Sequence, residues 1–194
     1  MRDLAVPICG SPSATPARRE VRDSVNPEHL TLPEAGSAER LRFEKFIVRG
    51  PRPTDCWIFA GAIADDGYGR FWVSRNGRQK VVRPHRYALA IELGRPLTDD
   101  EVALHEVCDN PICVRASSEA LGRPHVVLGT QAQNLAGMGA KGRGGGRGQT
   151  WHWYGPDRAA RAARSRALRE AVRGGWDDEA VQAAFLHTDT PTLF

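Results

Sequence analysis

The chain has few cysteines, few aromatic residues and no long apolar segment. Of its 194 residues, four are cysteine and 7% are aromatic, although hydrophobic residues reach 41%. No run is long enough for a bilayer span or a signal peptide, so we expect no membrane partner and a cytoplasmic protein. In that compartment neighbouring cysteines favour a metal over a disulfide, and four are too few for a disulfide-rich secreted scaffold.

What is present is the composition of a globular protein with many loops. The chain contains 20 glycines and 13 prolines, and its length allows one ordinary domain with appendages. The net charge is only +4, but basic residues outnumber acidic ones strongly between residues 141 and 173. Such a stretch suggests a polyanionic partner, and a solvated helix face is the alternative.

Composition divides the chain into four parts. Residues 1–37 are rich in Pro, Ala, Ser and charge, which predicts a flexible N-terminal arm, and Cys9 within it is interpreted as incidental. Residues 38–140 carry the apolar patterns of a folded domain. Residues 141–156 read as a Gly/Arg-rich linker, and residues 157–194 as a helical C-terminal extension.

Within 38–140 the patterns predict an α+β fold. Ser37 is placed to cap a short helix, and residues 56–83 predict a small antiparallel sheet with a hairpin turn at Asn76-Gly77. A helix is expected over residues 84–93, ended by Gly94. Short strands are expected near 102–105 and 126–128, and Thr130 is placed to cap a helix through Met138.

Four side chains have the chemistry of a closed structural zinc site. Cys108 and Cys113 flank a four-residue turn, Cys56 precedes an apolar strand, and His125 follows the turn-rich segment. Three thiolates and an imidazole suit zinc, whose structural sites are four-coordinate. The alternative is that Cys56 is a small buried apolar residue and His125 an ordinary loop residue.

Two further residues suggest phosphodiester hydrolysis. His105 ends a predicted strand and Asn134 lies on the next predicted helix, so the two side chains are expected to meet across one strand–strand–helix unit. Histidine can take a proton from water near neutral pH, and an Asn carbonyl can help to hold a divalent metal at a phosphate. A cation should also neutralise the charge that develops on phosphorus.

At this point the sequence resembles the HNH or His-Me finger (ββα-metal) endonucleases, in the zinc-containing branch with phage-encoded and intron-encoded homing members. The resemblance covers about residues 38–143. The matching motifs are Asp55-Cys56-Trp57, Gly67-Tyr68-Gly69-Arg70-Phe71, His85-Arg86-Tyr87-Ala88, His105, Cys108-Asp109-Asn110-Pro111-Ile112-Cys113-Val114, His125, Gly129-Thr130, Asn134 and Lys141-Gly142-Arg143.

The resemblance implies a zinc-stabilised ββα-metal nuclease core and a DNA endonuclease of a bacterium or phage-infected cell. By it, His105 is the general base, Asn134 a ligand of catalytic magnesium, and the three cysteines with His125 hold structural zinc. Arg70 is the candidate for a phosphate contact, with a solvent-facing charge as the alternative. A catalytically inactive, zinc-stabilised DNA-binding protein of the same fold is the rival interpretation.

The chain departs from the family pattern at three places. Two residues, Glu106 and Val107, separate the histidine from the first cysteine where one is usual. Residues 114–124 are longer than the usual spacer, which we interpret as a tolerated loop insertion at 115–123. Leu104 stands where some relatives have an acidic metal ligand. His85 and Arg86 are expected to have packing or capping roles.

Double-stranded DNA is the expected partner. A twisted hairpin can lie in a major groove, and a Gly/Arg linker can follow the backbone. One catalytic site per chain favours nicking, so cleavage of both strands would require a homodimer. Thr190-Pro-Thr-Leu-Phe194 faintly resembles peptides that bind bacterial sliding clamps but lacks their usual glutamine, and an unstructured tail is the alternative. The candidate DNA contacts are Arg70, Arg75, Arg78, Lys80, Arg83, Lys141, Arg143 and Arg147.

Overall fold

A computed structural model describes residues 31–117, 122–140 and 158–186, and these residues form an α+β structure with small antiparallel sheets. The strands are β1 (Ile47–Arg49), β2 (Trp57–Phe59), β3 (Ala62–Ile63), β4 (Gly69–Arg75), β5 (Arg78–Val82), β6 (Glu101–His105) and β7 (Val126–Thr130). The helices are α1 (Ala38–Glu44), α2 (Pro84–Leu93), α3 (Gln131–Ala140), α4 (Arg158–Ala171) and α5 (Asp178–Leu186).

The centre of the fold is an aromatic cluster contributed by α1, β2, β4 and α2. The ring of Phe43 lies 4.7 Å from that of Tyr87 and 5.1 Å from that of Phe71, both edge-on. Phe59 completes the cluster, and all four side chains are almost fully buried. Edge-to-face packing and the burial of large apolar surfaces stabilise this arrangement, so α1 belongs to the core although it has only 7 residues.

Most of the predicted local structure is confirmed, but residues 56–83 do not form one sheet: β2 pairs with β1, whereas β4 pairs with β3 and β5. The Ser37 side chain accepts a hydrogen bond from the Arg40 N–H, and Gly94 ends α2 with φ of 66°. Asn76 and Gly77 take φ of 51° and 74°, which builds the tight turn between β4 and β5. The sequence did not predict β1 and β3, because segments of 3 and 2 residues carry no periodic signal and are defined by their pairing to β2 and β4.

Strands β6 and β7 pair antiparallel and lead directly into α3. His105 at the end of β6 pairs with Val126 at the start of β7. Thr130 and Gln133 cap α3 reciprocally, since each backbone N–H donates to the other's side chain, at 2.8 and 3.3 Å. This cap fixes the entry of α3 and holds it beside the two strands. Among the helices of the described residues, none is both long and apolar enough to cross a bilayer.

The two C-terminal helices pack onto the same core. Leu168 and Val172 from the end of α4, and Val181 and Ala184 from α5, lie in the buried cluster that contains Phe43 and the aromatic residues around it. Helix α4 also approaches the turn between β3 and β4 closely. A Cβ at Gly67 would lie 3.0 Å from the Arg161 carbonyl oxygen and 3.1 Å from the Ala162 nitrogen. Within the predicted extension, α4 and α5 therefore contribute to the core of the folded domain.

Replacing Gly67 tests this close approach. Gly67 and Gly77 both have positive φ, 84° and 74°, but a Cβ at Gly77 meets nothing within 4 Å. We expect Gly77→Ala to lower the free energy of unfolding by about 1–2 kcal/mol through backbone strain alone. Gly67→Ala should cost a further ~1–3 kcal/mol, because the helix must move away.

Denaturant unfolding of the two variants, measured at fixed zinc concentration, provides the comparison. Equal losses of stability in Gly67→Ala and Gly77→Ala would contradict the close contact between the turn and α4.

Candidate functional site

The four side chains predicted to bind zinc converge on one point. The sulfur atoms of Cys56, Cys108 and Cys113 and a ring nitrogen of His125 all lie within 4.8 Å of one another. His125 Nδ1 is 3.5 Å from the sulfur of Cys56 and 3.6 Å from that of Cys113. A tetrahedral zinc ion separates sulfur and nitrogen ligands by about 3.5 Å. The donor set and spacing therefore fit one metal ion such as zinc.

Backbone pairing brings the sulfur atoms together. The Phe59 N–H donates to the Ile112 carbonyl and the Val114 N–H to the Trp57 carbonyl, both at 2.9 Å, so the segment with Cys113 runs antiparallel beside β2. Cys113 pairs with Ile58, so Cys56, two residues before Ile58, lies on the same face of this pairing and diagonal to Cys113. The turn between Cys108 and Cys113 is closed by the Asn110 side chain, which accepts from the Ile112 N–H at 3.2 Å.

His125 reaches the cluster despite the long spacer before it. The Arg115 carbonyl accepts hydrogen bonds from the N–H groups of both His125 and Val126, each at 2.9 Å. The two sides of the insertion thus meet at Arg115, and residues 118–121 within the insertion lie outside the described residues. The Arg115 side chain is 1% exposed and donates to the Asp55 carbonyl at 2.9 Å, which secures the base of the loop.

The thiols share protons strongly. Hydrogen bonds from Cys113 and Cys56 hold the pKa of Cys108 far below its usual range. The hydrogen bond with Cys108 is the main cause that raises the pKa of Cys56 to about 12, and burial raises the pKa of Cys113. A metal ion binds the thiolate form of cysteine, so metal binding releases protons and the affinity should fall as pH falls.

His105 and Asn134, predicted as the catalytic pair, line one cavity of about 670 Å³ next to this cluster. His105 comes from the end of β6 and Asn134 from the first turns of α3. His105 is one of the neighbours that lower the pKa of the Cys108 thiol, so its ring lies beside the Cys/His cluster. The other lining residues that concern the chemistry are Tyr68, Leu104, Asp109 and Arg161.

The His105 ring packs against two other rings, both tilted relative to it. Its ring centroid lies 4.9 Å from that of His85 and 6.4 Å from that of Tyr68. Burial and the neighbouring His105, Arg86 and Arg83 lower the pKa of His85 well below its usual value, so His85 packs as a neutral ring. Arg86 donates to the Glu101 carbonyl at 2.9 Å. Both residues have the packing roles expected from the sequence.

The structure accommodates two of the departures from the family pattern, the longer spacer after His105 and the leucine at position 104. Glu106 and Val107 are both exposed, and His105 keeps its pairing with Val126 although the spacer is one residue longer than usual. Leu104 lies over Gly129, where a Cβ would come within 2.2 Å of its Cδ1 atom. Leu104 brings no oxygen to the cavity, but Asp109 places a carboxylate among the lining residues. Sequence reasoning had treated Asp109 only as part of the turn.

The cationic residue at the cavity differs from the one chosen from the sequence. Arg70 is exposed on β4 and is not among the lining residues, whereas Arg161 from α4 is. No sequence motif links Arg161 to His105, because the two are separated by 56 residues and meet only through the packing of α4. Arg161 is therefore the site residue that sequence reasoning missed.

Several predicted DNA contacts are engaged within the protein. Arg75 forms two hydrogen bonds with the Glu39 carboxylate, at 2.6 and 2.8 Å, and Arg83 lies 2.6 Å from Asp66. Arg70 and Arg78 are exposed, and Lys80 is half-buried. The remaining candidates Lys141, Arg143 and Arg147, and the tail at residues 190–194, lie outside the described residues.

Comparison with known proteins relates the chain to two phage proteins. It is 38% identical over 89 residues to Protein 7.7 of Escherichia phage T7, covering 46% of this chain and 58% of that protein. It is 35% identical over 88 residues to Protein 2.8 of the same phage, covering 45% and 52%. The chain thus spans little more than half the length of these curated relatives. No protein-family model matches it, and no solved structure does.

The Cys/His cluster predicts a defined metal content. We expect about one zinc per chain, lost together with folding in Cys108→Ser, because structural zinc binding free energy is also folding free energy. Cys9→Ser is the matched control and should leave zinc content and melting temperature unchanged. Elemental analysis and thermal melts of both variants make the measurement, and full zinc in Cys108→Ser would exclude the four-ligand site.

Arg75 is expected to act in stability rather than in DNA binding. Burial raises the pKa of Glu39, but the hydrogen bonds from Arg75 and Tyr87 outweigh it and the net shift is downward. Arg75→Ala should therefore cost about 1–3 kcal/mol at neutral pH. Because Glu39 has a lowered pKa in the folded state, its contribution exists above its unfolded pKa and disappears as pH falls through the folded value.

The stability deficit of Arg75→Ala should consequently shrink in acid. Arg78→Ala, from the exposed side of the same hairpin, should change stability by less than about 0.5 kcal/mol. Urea unfolding at several pH values tests both statements, and a deficit that is independent of pH would rule out the role of the Glu39 pair.

Proposed function

We propose that this protein is a metal-dependent endonuclease that hydrolyses phosphodiester bonds in DNA. The observation that supports the proposal is the meeting of His105 and Asn134 in one cavity, on a strand–strand–helix unit beside a Cys/His cluster fit for zinc. This arrangement agrees with the resemblance to HNH endonucleases in its order of elements and in the residue types at the matching positions.

In the proposed mechanism His105 takes the proton from the attacking water. Its backbone is fixed by pairing at the end of β6, and its ring is confined by His85 and Tyr68, so the imidazole has little rotational freedom to lose. The neighbouring His85 cannot compete for the proton, since burial keeps it neutral. A base held in this way contributes through orientation as well as through proton transfer.

The cavity also has suitable donors for a catalytic divalent cation. Asn134 and Asp109 are among the residues that line it, and both carry side-chain oxygens, the ligand type that magnesium prefers. Such a cation would bind the phosphate and stabilise the leaving oxygen. Asp109 offers the negative charge that Leu104 does not, so the residues present are compatible with the cofactor that the resemblance implies.

Duplex DNA would reach this cavity over a partly cationic surface. Arg70 and Arg78 are exposed on the β4–β5 hairpin, and residues 141–147 of the basic segment follow α3 directly. Each chain has one such cavity in its described residues, which makes nicking the expected reaction of a single copy. A cut through both strands would need two copies on opposite strands.

A binding protein without catalysis is the second candidate. The closeness of His105 to Cys108 favours it, because an imidazole at this place could serve only to pack against the Cys/His cluster. Leu104 stands where some members of the family have an acidic metal ligand, and this difference also favours a protein without catalysis.

Plasmid nicking distinguishes the two functions. We expect the purified protein to convert supercoiled plasmid to the open circle with magnesium and not with EDTA. Removal of the base in His105→Ala should slow nicking about 100- to 10,000-fold. Asn134→Ala should also abolish most activity, whereas Asn134→Asp keeps an oxygen donor and should retain more.

Gln131→Ala, exposed on the same helix α3, is the control and should nick at the wild-type rate. Zinc content and melting temperature of every variant separate a catalytic loss from an unfolded protein. The nuclease proposal fails if folded wild type, His105→Ala and Asn134→Ala all retard plasmid on a gel yet leave it equally intact.

A further inference from the structure

Arg161 is the one cation that lines the cavity among the residues the structure describes. It lies in the first turn of α4, a helix outside the region that resembles the nuclease family. Its side chain is half-buried, and it faces the same space as His105, Asn134 and Asp109. Its charge is near enough to Tyr68, another lining residue, to act on the pKa of that phenol.

The Asp66-Gly67 turn determines where the guanidinium points. Arg161 Nε donates to the Asp66 carbonyl at 2.8 Å, and the missing side chain at Gly67 lets the helix backbone approach the turn. Asp66 is itself held by Arg83, at 2.6 Å, and by the Tyr68 N–H, at 3.1 Å. The position of Arg161 is therefore prepared by the fold and does not depend on a flexible surface side chain.

Arg161 differs from the other arginines nearby in what its terminal nitrogens contact. Arg83 is paired with Asp66, and Arg164 on the same helix donates to the Asp109 carbonyl at 3.3 Å. For Arg161 the structure, over the residues it describes, records only the bond from Nε and no ion pair. A half-buried guanidinium anchored at Nε, with both terminal nitrogens available at a cavity, has the geometry of an anion receptor.

We propose that Arg161 binds a non-bridging oxygen of the DNA phosphate that enters this cavity. The identity of the anion rests on the proposed nuclease function. In that setting the guanidinium neutralises charge on the phosphate opposite His105, the role that the sequence had assigned to Arg70. Helix α4 thereby supplies part of the substrate site, and it also supports the fold.

The alternative is that Arg161 only ties α4 to the turn. Three variants separate the two roles. Arg161→Met keeps the aliphatic stem against Gly67 and removes the charge, and Arg161→Lys keeps the charge without the planar fork. Arg49→Met removes the same charge from exposed β1, whose residues do not line the cavity.

The decisive measurement is the salt dependence of binding to a short DNA duplex in calcium or EDTA. Loss of one phosphate contact should reduce the magnitude of the slope of log K against log salt by about 0.9 in Arg161→Met. Arg161→Lys should keep most of the slope, and Arg49→Met should leave it unchanged. With magnesium, nicking by Arg161→Met should fall about 100- to 1,000-fold, with zinc content and melting temperature at wild-type levels.

The result of the binding measurement can be interpreted whether or not the protein is a nuclease. If wild type binds duplex but does not nick it, the proposed function fails, and a lower slope in Arg161→Met still supports the phosphate contact. An unchanged slope in Arg161→Met overturns the inference, whatever happens to nicking. An equal decrease in Arg49→Met also overturns it, since the effect would then be one of net charge, and so would a wild type that binds no duplex.

Discussion

The convergence of three sulfurs and one imidazole is the constraint on which the rest of the site depends. It ties together segments that are far apart in sequence: the residue before β2, the turn after β6 and the start of β7. Because Cys113 also pairs with β2 through its backbone, the cluster fixes the direction of the chain as it leaves His105. A metal ion here would stabilise the cavity and the fold through the same four bonds, so the two are not separable energetically.

Three elements contribute the functional side chains of the cavity, and each element is positioned in a different way. His105 is placed by β-pairing, Asn134 by a capped helix and Arg161 by the docking of α4 on a glycine turn. Each position is set by backbone hydrogen bonds and not by the flexibility of a side chain. Such preorganisation is the property that a site for phosphate chemistry would require, since its electrostatic stabilisation depends on dipoles and charges that need not move.

Sequence reasoning reached the features that local chemistry determines. The four residues of the Cys/His cluster were predictable because few residue types bind a metal such as zinc, and the hairpin and the bounds of α2 were predictable because Asn-Gly, Pro and Gly restrict the backbone. Sequence reasoning did not predict the features that depend on tertiary contacts. Strand β3 exists only through its pairing with β4, and Arg75 and Arg161 look equally cationic in the sequence. In the structure Arg75 is hydrogen-bonded to Glu39, whereas Arg161 lines the cavity.

The contact between His105 and Cys108 connects the two centres of the site. His105 is one of the neighbours that lower the pKa of the Cys108 thiol, so the proposed base and the Cys/His cluster lie side by side. The Glu106 N–H donates to the His125 carbonyl at 3.0 Å, so the pairing of β6 with the β7 side continues one residue past His105. The two-residue spacer therefore leaves the backbone of His105 within the pairing of β6 and β7.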